Sequence, residues 1–221
     1  SFFELLLSVI YSFHMPLFFV LSGFVSVKIL SLATYRERLL YIRQRAVRLL
    51  IPYFVIGLFY MPLKFYLSSY AVKAYDFSST WKLFLGENPN VSLWFLYTLF
   101  WCSAICALFL NHRTLTLLLS AGFLLAAAVY FWSPELRIPQ YLFFFLLGIF
   151  LREHYDIWKS HLEKHGLFWA MAALFILTNA GLYITDVSLF KIVTTLSGIW
   201  CTLALFLRAD QGSAIWKQLE Y

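Results

Sequence analysis

Three short stretches of the chain gather side chains that could do chemistry. Around His14 the sequence reads Phe13-His14-Met15-Pro16-Leu17-Phe18-Phe19-Val20-Leu21-Ser22-Gly23-Phe24. A histidine titrates near neutral pH and can hold or pass a proton. Pro16 suits the first turn of a helix, where a missing N–H costs nothing. That reading puts His14 just outside the turn, at a membrane boundary. Ser22-Gly23 makes a small surface that lets another helix come close. The plainer reading is an interfacial histidine plus a packing notch. The second stretch, Arg43-Gln44-Arg45-Ala46-Val47-Arg48-Leu49-Leu50-Ile51-Pro52-Tyr53, carries arginines into an apolar run. Arg45 and Arg48 are three apart and share a helix face. Arginine grips phosphate through two parallel hydrogen bonds, and at membrane depth it needs a partner. A phosphate-bearing donor such as a coenzyme A thioester would suit both. Topology signalling and lipid-phosphate contact account for Arg36, Arg38 and Arg43 without any ligand. The third stretch, Ser92-Leu93-Trp94-Phe95-Leu96-Tyr97, has rings that could lie on sugar faces or simply form an aromatic belt.

Other candidates fit plainer roles. Lys28 is placed to snorkel to an interface. His112, His154, His161 and His165 complete no ligand set, so no metal site is expected. Cys102, Cys106 and Cys201 lie in apolar stretches and read as small packed hydrophobes. Phosphate-loop, dinucleotide and nucleophile-elbow patterns are absent.

The elements that must position these residues are membrane helices. Of 221 residues, 62% are hydrophobic, 21% aromatic and 13% charged, with 24 Phe. Soluble domains carry about 25% charged residues, and this chain lacks the polar surface to cover such a core. Lipid as outer solvent removes the difficulty. The net charge of +6 sits in loops, which reads as topology and not as nucleic-acid binding. Seven spans are predicted, near 13–32, 49–70, 91–110, 114–132, 138–151, 167–185 and 189–207. The fifth is short, roughly 21 Å, and would be either a shielded or re-entrant helix. Counting it as a crossing gathers Arg36 to Arg48, Arg113, Arg152, Lys159, Lys164, Arg208 and Lys217 on one side. That side is cytoplasmic by the positive-inside rule. Lys64, Lys73, Lys82, Arg137 and Lys191 fall to the other. Residues 1–12 read as an external lead-in. A chain starting outside calls for a helix before Ser1. The expected fold is therefore all-α: a single membrane-embedded domain over 1–221, incomplete at both ends.

In their order, "FHMPLFFVLSGF" at 13–24, "RQRAVRLLIPY" at 43–53 and "SLWFLYTLF" at 92–100 resemble the acyltransferase-3 family of integral membrane acyltransferases, nearest its fucose 4-O-acetylase-like branch. The resemblance implies a fold of roughly ten spans and transfer of an acyl group, usually acetyl, from cytoplasmic acyl-CoA to a hydroxyl of a sugar or cell-envelope glycan. It implies a bacterial inner-membrane location, lipid surroundings and no permanently bound cofactor. Arg45 and Arg48 fall where the family's arginines would meet the donor. Trp94 and Tyr97 fall on the acceptor side, and His14 near them as a supporting group. The family's catalytic histidine belongs to a helix that would precede Ser1, so the base is not assigned here and this stretch alone is expected to be inactive. The competing readings are a transporter or exporter and a non-catalytic relative. Inverted repeats and matched broken helices, the usual marks of transporters, are not evident.

Overall fold

The computed structural model describes residues 2–66, 93–132, 137–185 and 188–210, together with Trp81, Leu83, Phe84 and Gly86. Among them are eight α-helices and no strand: α1 (Phe2–Phe24), α2 (Tyr35–Tyr66), α3 (Trp94–Phe109), α4 (Leu115–Trp132), α5 (Arg137–Glu153), α6 (Tyr155–Leu162), α7 (His165–Thr185) and α8 (Ser188–Asp210). A 3-10 turn, Val27–Ser31, follows α1. The predicted limits at 67–70 and 91–92, and Lys73, Lys82 and Lys217, lie outside the described residues.

Local chemistry sets several boundaries. Thr34-x-x-Glu37 has the form of a capping box, and the Glu37 carboxylate accepts from the Ala33 and Thr34 N–H groups at 3.1 and 3.3 Å. Asn111 Oδ1 accepts from the N–H of Arg113 and Thr114 at 3.0 and 2.9 Å, which caps the start of α4.

Two expectations are corrected. Residues 2–12 are not a separate lead-in; they are the first turns of α1, which runs on through Pro16. Pro16 is therefore inside the helix, and His14 lies within it instead of ahead of its first turn. Proline has no N–H for the Ser12 carbonyl one turn back. The buried Thr195 hydroxyl on α8 lies 3.0 Å from that oxygen and 2.8 Å from the Lys191 carbonyl of its own helix, so its one proton serves the two. A neighbour's side chain thus takes over the orphaned carbonyl, as membrane helices allow. The second correction is α6, a short helix in the stretch read as loop after the fifth span.

Among the described residues three helical stretches, Val9–Ser31, Tyr35–Pro62 and Phe190–Arg208, are long and apolar enough to cross a membrane; Trp94–Phe109, Leu115–Val129 and His165–Gly181 are shorter apolar helices. The chain is a helical membrane bundle. Its centre is the short helix α5, which packs on α1, α4 and α3. Phe143, Phe144, Phe145, Leu146 and Ile149 of α5 are buried with Phe19 and Val20 of α1, Leu99 and Cys102 of α3, and Ile199 of α8. The helix that looked too short is thus shielded on several sides by its neighbours. Two glycines set the α1–α5 distance. A Cβ on Gly23 would land on the Phe145 carbonyl oxygen, and one on Gly148 on the Val20 carbonyl oxygen. Helices in lipid gain little from hydrophobic contact with each other, so close backbone approach at small residues supplies the attraction. The surface of α2 is far more open: 17% of its apolar window is buried, against 39% for α1.

Candidate functional site

Several basic residues gather at one end of the bundle. Arg38 Nη1 donates to the Ala107 and Leu108 carbonyls at 2.9 and 2.8 Å, tying the start of α2 to the end of α3. His112 and Glu153 meet at 2.8 Å between the α3–α4 turn and the end of α5. Arg208 Nη2 reaches the Lys164 carbonyl at 3.4 Å, and its guanidinium lies 4.2 Å from the centre of the Phe168 ring. Arg38 and Arg208 therefore brace helix ends.

Arg45 is held differently. Its Nη2 donates to Ser26 Oγ at 2.7 Å, and its Nε to the Tyr41 hydroxyl at 2.8 Å. Ser26 is 1% exposed and passes its own proton to the Ser22 carbonyl at 2.6 Å. Sequence places Tyr41 one turn before Arg45 on α2; the break after α1 places Ser26. With Ser26 N bonded to the Gly23 carbonyl at 2.9 Å, the chain tightens into the 3-10 turn and turns the hydroxyl toward α2. Nη1 of Arg45 has no acceptor and its charge no carboxylate partner among the described residues. The result is a half-buried, pre-oriented guanidinium with a free edge, the arrangement that grips a phosphate.

Arg48 does not join it. Three residues on, it is exposed and makes no contact with a partner among the described residues. Lys28 is also exposed. The Arg45–Arg48 pairing read from the sequence is thus split: one arginine faces the end of α1, the other the surroundings.

His14, near the middle of α1, and Trp94, at the start of α3, lie away from that basic end. His14 is half-buried, with Nδ1 3.2 Å from the Ile10 carbonyl and its ring 4.7 Å from Tyr11. A carbonyl only accepts, so Nδ1 bears the proton. The other ring nitrogen, Nε2, is left without a partner among the described residues. Trp94 stands among Phe19, Tyr141 and Arg137, at centroid distances of 6.5 and 5.1 Å for the rings and 4.6 Å for the guanidinium carbon. Tyr97 faces elsewhere. Its hydroxyl donates to the Phe84 carbonyl at 2.8 Å, and its ring packs with Tyr53 in a second core around Met61 and Leu83. Trp94 and Tyr97 therefore do not share a surface. Arg137, which the sequence marked only as a loop cation, covers one face of Trp94.

The remaining groups show no site. Cys102, Cys106 and Cys201 are free thiols, the first two fully buried. The described residues hold no cluster of three metal ligands. A cavity of about 300 Å³ between α5, α6, α7 and α8 is lined by Leu147, Trp158, Leu196, Trp200 and other apolar groups. Ser197, its one hydroxyl, already donates to the Val193 carbonyl at 2.7 Å.

Residues 1–219 match the profile of a protein family described as an acyltransferase domain (Acyl_transf_3). No curated protein and no solved structure matches the chain.

Proposed function

Since the chain belongs to the Acyl_transf_3 family of acyltransferases, we propose that this membrane acyltransferase moves an acyl group, acetyl in the first instance, from cytoplasmic acyl-CoA to a hydroxyl of a sugar or cell-envelope glycan. The fucose 4-O-acetylase-like branch and the bacterial inner membrane are parts of the same proposal. The bundle crosses the bilayer seven times within this stretch, with the Arg45 end in the cytoplasm. The observation that carries this reading is the guanidinium of Arg45. It is fixed by Ser26 and Tyr41, lacks a counter-ion among the described residues and faces the end where a water-soluble donor would arrive.

In the reaction the acceptor oxygen attacks the thioester carbonyl. A C–O bond forms, the C–S bond breaks, the hydroxyl proton passes to a base and the CoA thiolate leaves. Arg45 binds donor phosphate. His14 lies twelve residues from Ser26 on the same helix-and-turn segment, roughly 18 Å away. The acyl-bearing arm of the donor would run along α1 toward it. There the free Nε2 would orient the acceptor hydroxyl. Trp94 would line the acceptor side together with Arg137. Tyr97 would act only by supporting α3.

The test is label transfer from acetyl-CoA to envelope glycan in membranes containing the full-length protein. Transfer that falls when Arg45 is replaced supports the reading. Absence of transfer to every glycan acceptor offered would sink it.

A further inference from the structure

Beside the Arg45 site lies a pair of cations that the sequence assigned to topology alone. Arg152 ends α5, and its guanidinium carbon is 5.1 Å from the centre of the Phe24 ring and 5.8 Å from that of Tyr155. Those two rings meet edge to face at 6.0 Å. Lys159, one turn further along α6, holds its ammonium 5.9 Å from the same Tyr155 ring. Glu153, the nearest carboxylate in sequence to Arg152, is engaged with His112. Among the described residues no carboxylate pairs with Arg152 or Lys159. A favourable position at a helix C-terminus explains why cations stand there. It does not explain why two of them share one ring while Asp156, which stands between them in the sequence, pairs with neither among the described residues. Rings packed against a guanidinium leave its five N–H donors free at the edge.

We propose that Arg152 and Lys159 form a phosphate-monoester site that takes the ribose 3′-phosphate of the CoA donor, leaving the pyrophosphate to Arg45. The proposal rests on the donor reading above. Phe24, which supports Arg152, is two residues from Ser26, which holds Arg45, so their Cα atoms are at most roughly 7 Å apart. The two cationic sites thus flank one end of α1. CoA has its anionic groups in two places, the pyrophosphate and the adenosine 3′-phosphate. The adenosine end lies farthest from the thioester and stays nearest to solvent, where the exposed Arg152 and Lys159 are. The pyrophosphate lies further in and meets the half-buried Arg45. A monoester carries close to two charges at neutral pH, which suits two cations better than the single charge of a lipid phosphodiester.

The experiment compares acetyl-CoA with acetyl-dephospho-CoA, which lacks only the 3′-phosphate, using the full-length protein in neutral phosphatidylcholine vesicles and in vesicles with added phosphatidylglycerol. In Arg152→Ala/Lys159→Ala, the KM for acetyl-CoA is expected to rise on the order of tenfold, with kcat within about twofold of wild type. The KM for acetyl-dephospho-CoA should stay unchanged in both vesicle types. Lys159→Ala alone should show the same selectivity in smaller degree, which keeps the test open if Arg152→Ala fails to fold. An equal rise for both donors, or no rise, overturns the assignment. A defect seen only with phosphatidylglycerol assigns the cations to lipid headgroups and also overturns it. If the wild type uses neither donor, the donor reading itself fails; if it uses acetyl-CoA and the variants are indifferent, only this inference does.

Discussion

Against α5, helix α1 approaches through Gly23 and Gly148 until side chain gives way to backbone; toward α2, the end of α1 reaches out with one serine hydroxyl to one arginine. The first contact is dry, continuous and built from groups with nothing left to offer. The second is polar, local and leaves an N–H edge unused. α2 lies mainly along α3 and has no comparable seam with α1. The difference separates two jobs within one helix. The glycine seam fixes where α1 stands, and the turn beyond it presents Ser26 as a support for a group that must bind something else.

The strongest way to break this contrast is to fill the seam. Gly148→Leu would drive a side chain into the α1 backbone, and overpacking of this kind costs ~3 kcal/mol or more where backbone cannot yield. The variant should lose its sharp thermal transition in detergent; an unshifted midpoint would mean the seam is looser than described. Next is the polar contact. Arg45→Ala should raise the KM for acyl-CoA on the order of tenfold to a hundredfold with thermal stability little changed, since charge-assisted hydrogen bonds contribute about 1.5–3 kcal/mol. Arg48→Ala should leave KM within about twofold, because its side chain is exposed and unpartnered among the described residues. Equal losses in the two would restore the pairing that the structure splits.

Ser26→Ala should weaken donor binding less, by roughly 1 kcal/mol, because Tyr41 still holds Nε. In a double-mutant cycle, Ser26→Ala should add little to Arg45→Ala. Full additivity in KM would show that Ser26 does not act through Arg45. The smallest effect belongs to the α1–α8 link. Thr195→Val removes the hydroxyl that serves the Ser12 carbonyl and should cost about 0.6 kcal/mol, the usual scale for hydrogen bonds between membrane helices. A thermal shift would read it, with donor KM unmoved.

Much of the bundle was legible in composition and patterning. The apolar runs marked α3, α4, α7 and α8 to within a few residues, and the short fifth run proved to be α5; α1 and α2 both begin more than ten residues before the limits their apolar runs set, because helix continues through polar residues that an apolar run does not count. Ser22-Gly23 was readable as a notch, and Gly23 does bring a helix close. Gly148 was not singled out, because its role exists only against Val20, far away in sequence. Pro16 was misread for the same reason: what lets it sit inside α1 is Thr195, 183 residues from Ser12. In the site, Arg45 stood out by its depth, but depth alone could not part it from Arg48. That required Ser26, supplied by the 3-10 turn, and no local pattern announces such a turn. Tyr97 was grouped with Trp94 by proximity in sequence, yet the helix turns the two toward different neighbours.

The partners that lock α1 in place are made late. As the chain is synthesised, α1 is the first of these helices to enter the bilayer, with a proline-interrupted backbone and a bare glycine face. It remains without its main neighbour until α2, α3 and α4 have followed and α5 arrives, and without Thr195 until α8 is made. Insertion and assembly are therefore separate events for this helix. Damage to its apolar surface acts on the first, and damage to Gly23 acts on the second, after the chain is already in the membrane.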